Sequence, residues 1–165
     1  MAVELNNLVA ALRDELQQYG EMLARLDEQQ DHVLRRASED LIHNVDAVQA
    51  HATVMENARR HREAAQREAA VAHGLPAKAA FSELLGKIPS DYRGLVSALV
   101  QENNELLVRV QQRLRQNHLL LARSLELMQN FLATLIPPVG PATYSNAGSM
   151  SPRSSLSHPL LEAIG

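Results

Sequence analysis

The sequence has no cysteine and no tryptophan, and its aromatic residues are only two phenylalanines and three tyrosines. Without cysteine the chain can form neither a disulfide framework nor a cysteine-ligated metal site, which is typical of a reducing compartment. Any hydrophobic core must be aliphatic. No apolar run approaches the roughly 20 residues that cross a bilayer, and the first residues lack the basic start and apolar run of a signal peptide. We expect a cytoplasmic protein with no stable membrane insertion.

A concentration of charge of one sign is also missing. The formal net charge is −3, and arginines such as Arg59 and Arg60 lie between Glu56 and Glu63. Because a phosphate backbone is bound by a surface of positive charge, we expect no nucleic-acid partner. The same balance disfavours a helix that lies on a membrane surface, which would need a polar face rich in lysine and arginine.

Proline and glycine are almost absent from two long segments. Residues 3–72 and 91–136 contain no proline and one glycine each, and their leucines, valines and alanines recur every three or four residues, the pattern of an amphipathic helix. Residues 73–76 (His-Gly-Leu-Pro) are a helix stop, and a short amphipathic segment follows. The sequence therefore predicts an all-α fold, an elongated antiparallel helical hairpin or bundle, with helices at about 3–72, 77–87 and 91–136.

The turn and short helix between the two long helices are too compact for a parallel return along their full length. We therefore predict that helix 91–136 is antiparallel to the leucine-rich half of helix 3–72. Two successive gaps of four residues at Ala37, Leu41 and Val45 interrupt the heptad spacing, so the first helix is either continuous or bent there. The domain organisation is then a helical domain over residues 1–138 and a Pro/Gly/Ser-rich flexible tail over residues 139–165.

Residue patterns that carry catalysis or metal binding are missing. A di-iron bundle needs two facing Glu-x-x-His repeats, whereas Asp40 and His43 form the nearest match and have no second copy. His43 and His51 are too far apart on a helix for joint ligation. A phosphotransfer histidine needs a neighbouring lysine, and neither Lys78 nor Lys87 follows a histidine at helical spacing. With no phosphate-binding glycine loop and no nucleophile elbow, we predict no enzymatic activity, no catalytic metal and no cofactor.

Three asparagines, Asn103, Asn104 and Asn117, fall at or beside apolar positions of the last long helix. A polar residue in a helix–helix seam can set the register of the two helices at some loss of stability. Alternatively, these asparagines line a groove for a partner. We favour the first interpretation.

Two short motifs resemble those of one protein family. Residues 117–121 (Asn-His-Leu-Leu-Leu) are similar to the Asn-x-x-Leu-Leu signature of FlgN-type flagellar export chaperones. Residues 142–148 (Ala-Thr-Tyr-Ser-Asn-Ala-Gly) resemble the Thr-Tyr-…-Gly element that follows the last helix in these proteins. The order of long, short and long helix agrees along nearly the whole chain, whereas the sequence beyond Gly148 matches no pattern of the family.

The resemblance implies a cytoplasmic chaperone that binds hook-associated (hook–filament junction) proteins, prevents their premature assembly and assists their type III export, with export-apparatus components as further partners. In that family the C-terminal region captures the partner. Carried onto this chain, with the four spaced apolar residues near the C-terminus added, the partner-binding residues are Leu125, Met128, Leu132, Leu135, Tyr144, Leu156, Leu160, Leu161 and Ile164.

The alternative is a structural coiled-coil protein that homodimerises, and a homo-oligomer is compatible with either interpretation. The two differ in the tail, which a structural rod does not need. The last apolar residues of the tail, Leu156 to Ile164, either form a short helix on binding or belong to an ordinary chain terminus.

Overall fold

The computed structural model describes residues 2–135, and every regular element within them is an α-helix. The elements are α1 (Ala2–Arg35), α2 (Ser38–Ala72), α3 (Phe81–Lys87) and α4 (Ser90–Leu135). This confirms the prediction of an all-α fold for the described residues. Within them, none of the helices combines the length and the apolar content that a membrane span requires.

The chain divides into two compact units, Met1–Gln129 and Asn130–Gly165. Only residues 130–135 of the second unit, the last residues of α4, are described. The predicted tail at residues 139–165 lies outside the described residues. The short helix begins at Phe81 rather than at residue 77, because the preceding residues form a turn in which the Ala79 N–H donates to the Pro76 carbonyl at 2.9 Å.

The segment predicted as one helix over residues 3–72 is two helices, and that prediction is wrong. Arg36 has a φ of 56°, in the left-handed region. Its N–H donates to the Val33 carbonyl at 3.2 Å, and the Ala37 N–H donates to the His32 carbonyl at 3.0 Å. These two bonds are the Schellman arrangement that closes a helix C-terminus. Glycine usually occupies the left-handed position, so its absence hid this helix end from the sequence analysis.

After this turn α2 runs back along α1. The Asn44 side-chain amide donates to the Arg25 carbonyl at 3.0 Å, and Arg62 Nε lies 3.0 Å from Glu15 Oε2. The α1 partner thus moves towards the N-terminus as the chain proceeds along α2, so the two helices are antiparallel. Together α1 and α2 form an antiparallel hairpin, which lies within the segment that was predicted as one helix.

Helix α4 is parallel to α1, which contradicts the predicted antiparallel pairing. The Asn103 amide donates to the Leu12 carbonyl at 3.0 Å, and the Asn117 amide donates to the Leu26 carbonyl at 2.7 Å. In each pair the two residues are separated by 91 positions in sequence. Residue numbers therefore increase in the same direction along α1 and α4. The reason is the turn at Arg36: because α2 already returns the chain to the start of α1, α4 begins there and follows α1 in the same direction.

The core follows a heptad pattern. The buried positions of α1 alternate at spacings of three and four residues, the arrangement of a coiled-coil seam. The seam positions are Leu5, Leu8, Leu12, Glu15, Tyr19, Met22, Leu26 and Gln29, and Val9 and Ala11 beside the seam are buried as well. Helix α2 contributes small residues such as Ala58 and Ala65, which bury little area each. The core of α4 is mixed, with Val96, Leu99 and Val110 buried alongside two asparagines.

Asn103 and Asn117 are buried in the seam between α1 and α4. Besides its bond to α1, Asn103 donates to the Leu99 carbonyl at 3.0 Å. A shift of α4 along α1 would break the side-chain bonds to α1 and leave buried donors without partners, which is costly. The geometry therefore supports the register interpretation for these two residues, whereas Asn104 is exposed beside a cleft.

Candidate partner-binding surfaces

The C-terminal part of α4 in the first unit presents uncovered apolar side chains. Leu125 and Met128, both predicted partner-binding residues, are more than half exposed. The spacing of 91 residues places Arg35, the last residue of α1, level with Glu126 of α4. No residue of α1 is therefore in register with α4 beyond this point. Leu127, which continues the heptad row of Leu99, is exposed for this reason.

The described residues of the second unit, 130–135, are all exposed, and four of the six are apolar. Leu132 and Leu135, again predicted partner-binding residues, expose more than half of their surface, and so does Phe131. Leu127 and Phe131 were missed by the sequence analysis. Both occupy core positions of the heptad, where a residue is normally expected to be buried. Their exposure could have been predicted only if the end of α1 had been known.

The remaining predicted partner-binding residues lie outside the described residues. They are Tyr144, Leu156, Leu160, Leu161 and Ile164. Their assignment stays a prediction.

A cleft of about 210 Å³ lies between α1, α2, α3 and α4, and an ion pair between the buried Glu15 and the partly buried Arg62 forms part of its wall. Arg62 Nε donates to Glu15 Oε2 at 3.0 Å, and Arg62 Nη2 donates to Glu15 Oε1 at 3.3 Å. The Tyr19 hydroxyl donates to the same carboxylate at 2.8 Å. The Arg62 guanidinium also lies 5.9 Å from the centre of the Phe81 ring, within range of a cation–π interaction.

This cluster is suited to structure rather than to proton transfer at neutral pH. Burial, together with the hydrogen bond to Glu15, raises the pKa of Tyr19 above its ordinary value. The hydroxyl therefore stays protonated and serves as a donor. Arg62 balances the buried Glu15 charge and joins α1, α2 and α3 at one point.

The histidines considered as metal ligands are dispersed. His43 is exposed, and His51 is buried with Nε2 2.9 Å from the Gln18 carbonyl oxygen. Among residues 2–135, no group of three or more potential ligands is placed to hold a metal ion. The expectation of no catalytic metal stays a prediction for the whole chain.

Comparison with known proteins gives one match. The family model for the FlgN protein matches residues 1–152. No curated protein and no solved structure matches the chain. The matched region contains both motifs, at residues 117–121 and 142–148, and ends before the apolar residues at 156–164. FlgN proteins are flagellar export chaperones and are not known as enzymes. Because the match covers most of the sequence, the chain belongs to the FlgN family of flagellar export chaperones.

Proposed function

We propose that this protein is a cytoplasmic chaperone that binds hook-associated (hook–filament junction) proteins, prevents their premature assembly and assists their export by the flagellar type III apparatus. The observation that carries the proposal is the uncovered apolar C-terminal part of α4, at Leu125 and Met128, in a chain of the FlgN family. Exposed apolar residues that cluster on one element mark interaction sites in soluble proteins.

The mechanism is capture by helix packing. Subunits that polymerise through terminal amphipathic helices aggregate unless the apolar faces of these helices are covered. A chaperone that offers its own apolar helix face covers them by helix-in-groove packing. Burial of each leucine or methionine contributes about 1.5–3 kcal/mol, part of which is offset by the cost of association. Such capture needs no nucleotide.

We propose that the tail contributes to capture through Tyr144 and the apolar residues Leu156, Leu160, Leu161 and Ile164. Deletion of residues 139–165 should leave the helical content nearly unchanged and weaken capture at least ~10-fold, which corresponds to ~1.4 kcal/mol. Circular dichroism and titration calorimetry against a terminal fragment of a hook-associated protein measure the two effects. Equal affinities would place capture on the helices, and a large loss of helix would show that the tail is structural.

The C-terminal part of α4 is tested by substitution. Leu125→Gln and Met128→Gln should each weaken binding of the same fragment about 10-fold or more, because each removes apolar area from the interface. Val54→Gln, an exposed apolar position on α2, is the matched control and should leave the affinity unchanged. A pull-down from a flagellated host, followed by mass spectrometry, identifies the partner. Recovery of no hook-associated protein would refute the proposed function.

A further inference from the structure

Helix α4 carries a second row of apolar residues besides its core row. Five apolar residues occur at intervals of seven. Each lies four residues after a member of the core row that begins at Val96 and contains Asn103, Val110 and Asn117. They are Val100, Leu107, Leu114, Leu121 and Met128. Packing within the chain leaves this row partly open, since Leu114 is 42% exposed and the rest of the row ranges from half-buried to exposed.

The row beside it on the helix surface has no acidic residue, lysine or arginine. Its members also repeat every seven residues and are all exposed: Ser97, Asn104, Gln111, His118 and Leu125. We call the two rows together, within residues 97–128, the neutral strip. It contains no aspartate, glutamate, lysine or arginine, although charged residues occur on the other faces of α4. A helix face that meets only water normally carries charges, whereas the centres of protein interfaces are depleted of them.

The neutral strip is long and borders a concave surface. Over residues 97–128 it extends about 47 Å at 1.5 Å per residue. Val100, Asn104 and Leu107 line the cleft described above, and Arg62 and Gln66 of α2 line it as well. This part of the strip is therefore one wall of the cleft, into which side chains of a docked helix could insert.

We propose that the neutral strip is the docking surface for one amphipathic helix of the exported partner, about 30 residues long, whose apolar residues repeat every three or four positions. The inference rests on the proposed function and extends its binding surface from the C-terminal part of α4 along the length of the first unit. Successive apolar side chains of the row lie about 10.5 Å apart along α4, which matches the seven-residue repeat of a second helix packed beside it. The absence of aspartate, glutamate, lysine and arginine from the strip favours a contact face on the partner with few charges.

Two other occupants fit less well. The apolar residues at 156–164 of the tail would span about 12 Å as a helix, roughly a quarter of the strip. A second copy of the chain would bring the same concave surface, with its own cleft, against the first. Two concave surfaces leave a gap between them, whereas a single helix fills one.

The absence of cysteine permits a direct test with single thiol reporters in the full-length chain. Gln111→Cys places a thiol on the neutral strip, and Gln112→Cys places one about 100° away around the helix. Both positions are exposed glutamines, so the two variants are matched. Alkylation by iodoacetamide is measured with and without an excess of a purified hook-associated protein from the same genome. We expect the partner to slow alkylation at position 111 at least 10-fold and at position 112 less than 2-fold.

A second pair of variants tests affinity. Leu114→Gln on the strip should weaken binding of the hook-associated protein about 10-fold by calorimetry. Leu119→Gln, off the strip and 68% exposed, should change it less than 2-fold. Circular dichroism confirms that both variants keep their helical content. If Leu114→Gln unfolds the chain, the alkylation experiment tests the strip instead. Its cysteines replace exposed polar residues, so those variants should stay folded.

The outcomes separate the strip from the proposed function. Tight binding with equal alkylation at positions 111 and 112 would overturn the strip and leave the proposed function standing. No binding of any hook-associated protein by the wild-type chain would overturn both. Protection of position 111 without a partner would also overturn the strip. If this protection increases with protein concentration, and the mass from light scattering increases with it, the occupant is a second copy of the chain. If this protection is lost when residues 139–165 are deleted, the occupant is the tail.

Discussion

Replacement of Arg62 by methionine should destabilise the protein by about 3 kcal/mol. The change removes the cation that balances Glu15, which is buried against α2, while a side chain of similar length still fills the space. Loss of one member of a buried ion pair leaves an uncompensated charge and costs about 3–5 kcal/mol. The lower end of this range applies here because the Arg62 side chain is 18% exposed. Water can therefore partly solvate the Glu15 carboxylate once the cation is removed.

Urea unfolding followed by circular dichroism measures this loss, and the melting temperature should fall by roughly 10 °C for a chain of this size. Arg60→Met is the control, since Arg60 is 71% exposed and makes a surface pair with Glu56 worth less than ~1 kcal/mol. The double variant Glu15→Leu with Arg62→Met should recover most of the loss, because apolar replacement of a whole buried pair is often neutral. A loss below ~1 kcal/mol for Arg62→Met alone would refute the structural role of the pair.

Three further predictions concern stability. Arg36→Gly should raise the free energy of unfolding in urea by ~1 kcal/mol, because glycine adopts a φ of 56° without strain; a loss would show that the Arg36 side chain matters more. Gly20→Ala should add ~0.5–1 kcal/mol in the same assay, since the new Cβ would lie 3.9 Å from Leu106, an ordinary contact. Burial raises the pKa of Tyr19, so the unfolded chain loses the phenolic proton first and stability should fall above pH ~10. Tyr19→Phe should remove that part of the pH dependence.

The helices were predictable because composition and spacing act locally. Helix 91–136 was predicted within one residue of the observed start at Ser90. The end of α1 was not, because its left-handed position is occupied by Arg36, and the only signal was the interrupted heptad at Ala37. The predicted direction of α4 relative to α1 was wrong because this one turn was missed. An additional reversal of the chain inverts the direction of every helix that follows it.

The candidate site was predictable in part for the same reason. The apolar positions of α4 follow from sequence, but which of them are uncovered depends on where α1 ends. Leu127 was therefore missed, although it occupies a core position of the heptad. Glu15 was missed because a carboxylate among arginines usually belongs to a solvated surface. Its partner Arg62 is 47 residues away, beyond the range of any local pattern.

The parallel pairing of α1 and α4 has a consequence for the order of folding. The contact of Asn44 with Arg25 closes a loop of 19 residues, whereas that of Asn103 with Leu12 closes one of 91. The longer loop costs about 1.4 kcal/mol more in chain entropy. We therefore predict that the hairpin of α1 and α2 forms first and that α4 docks last and detaches first. In native-state hydrogen exchange, the amides of α4 should open while those of α2 are still protected. Such an opening would let the helix that carries the proposed binding surfaces leave and rejoin an intact hairpin without global unfolding.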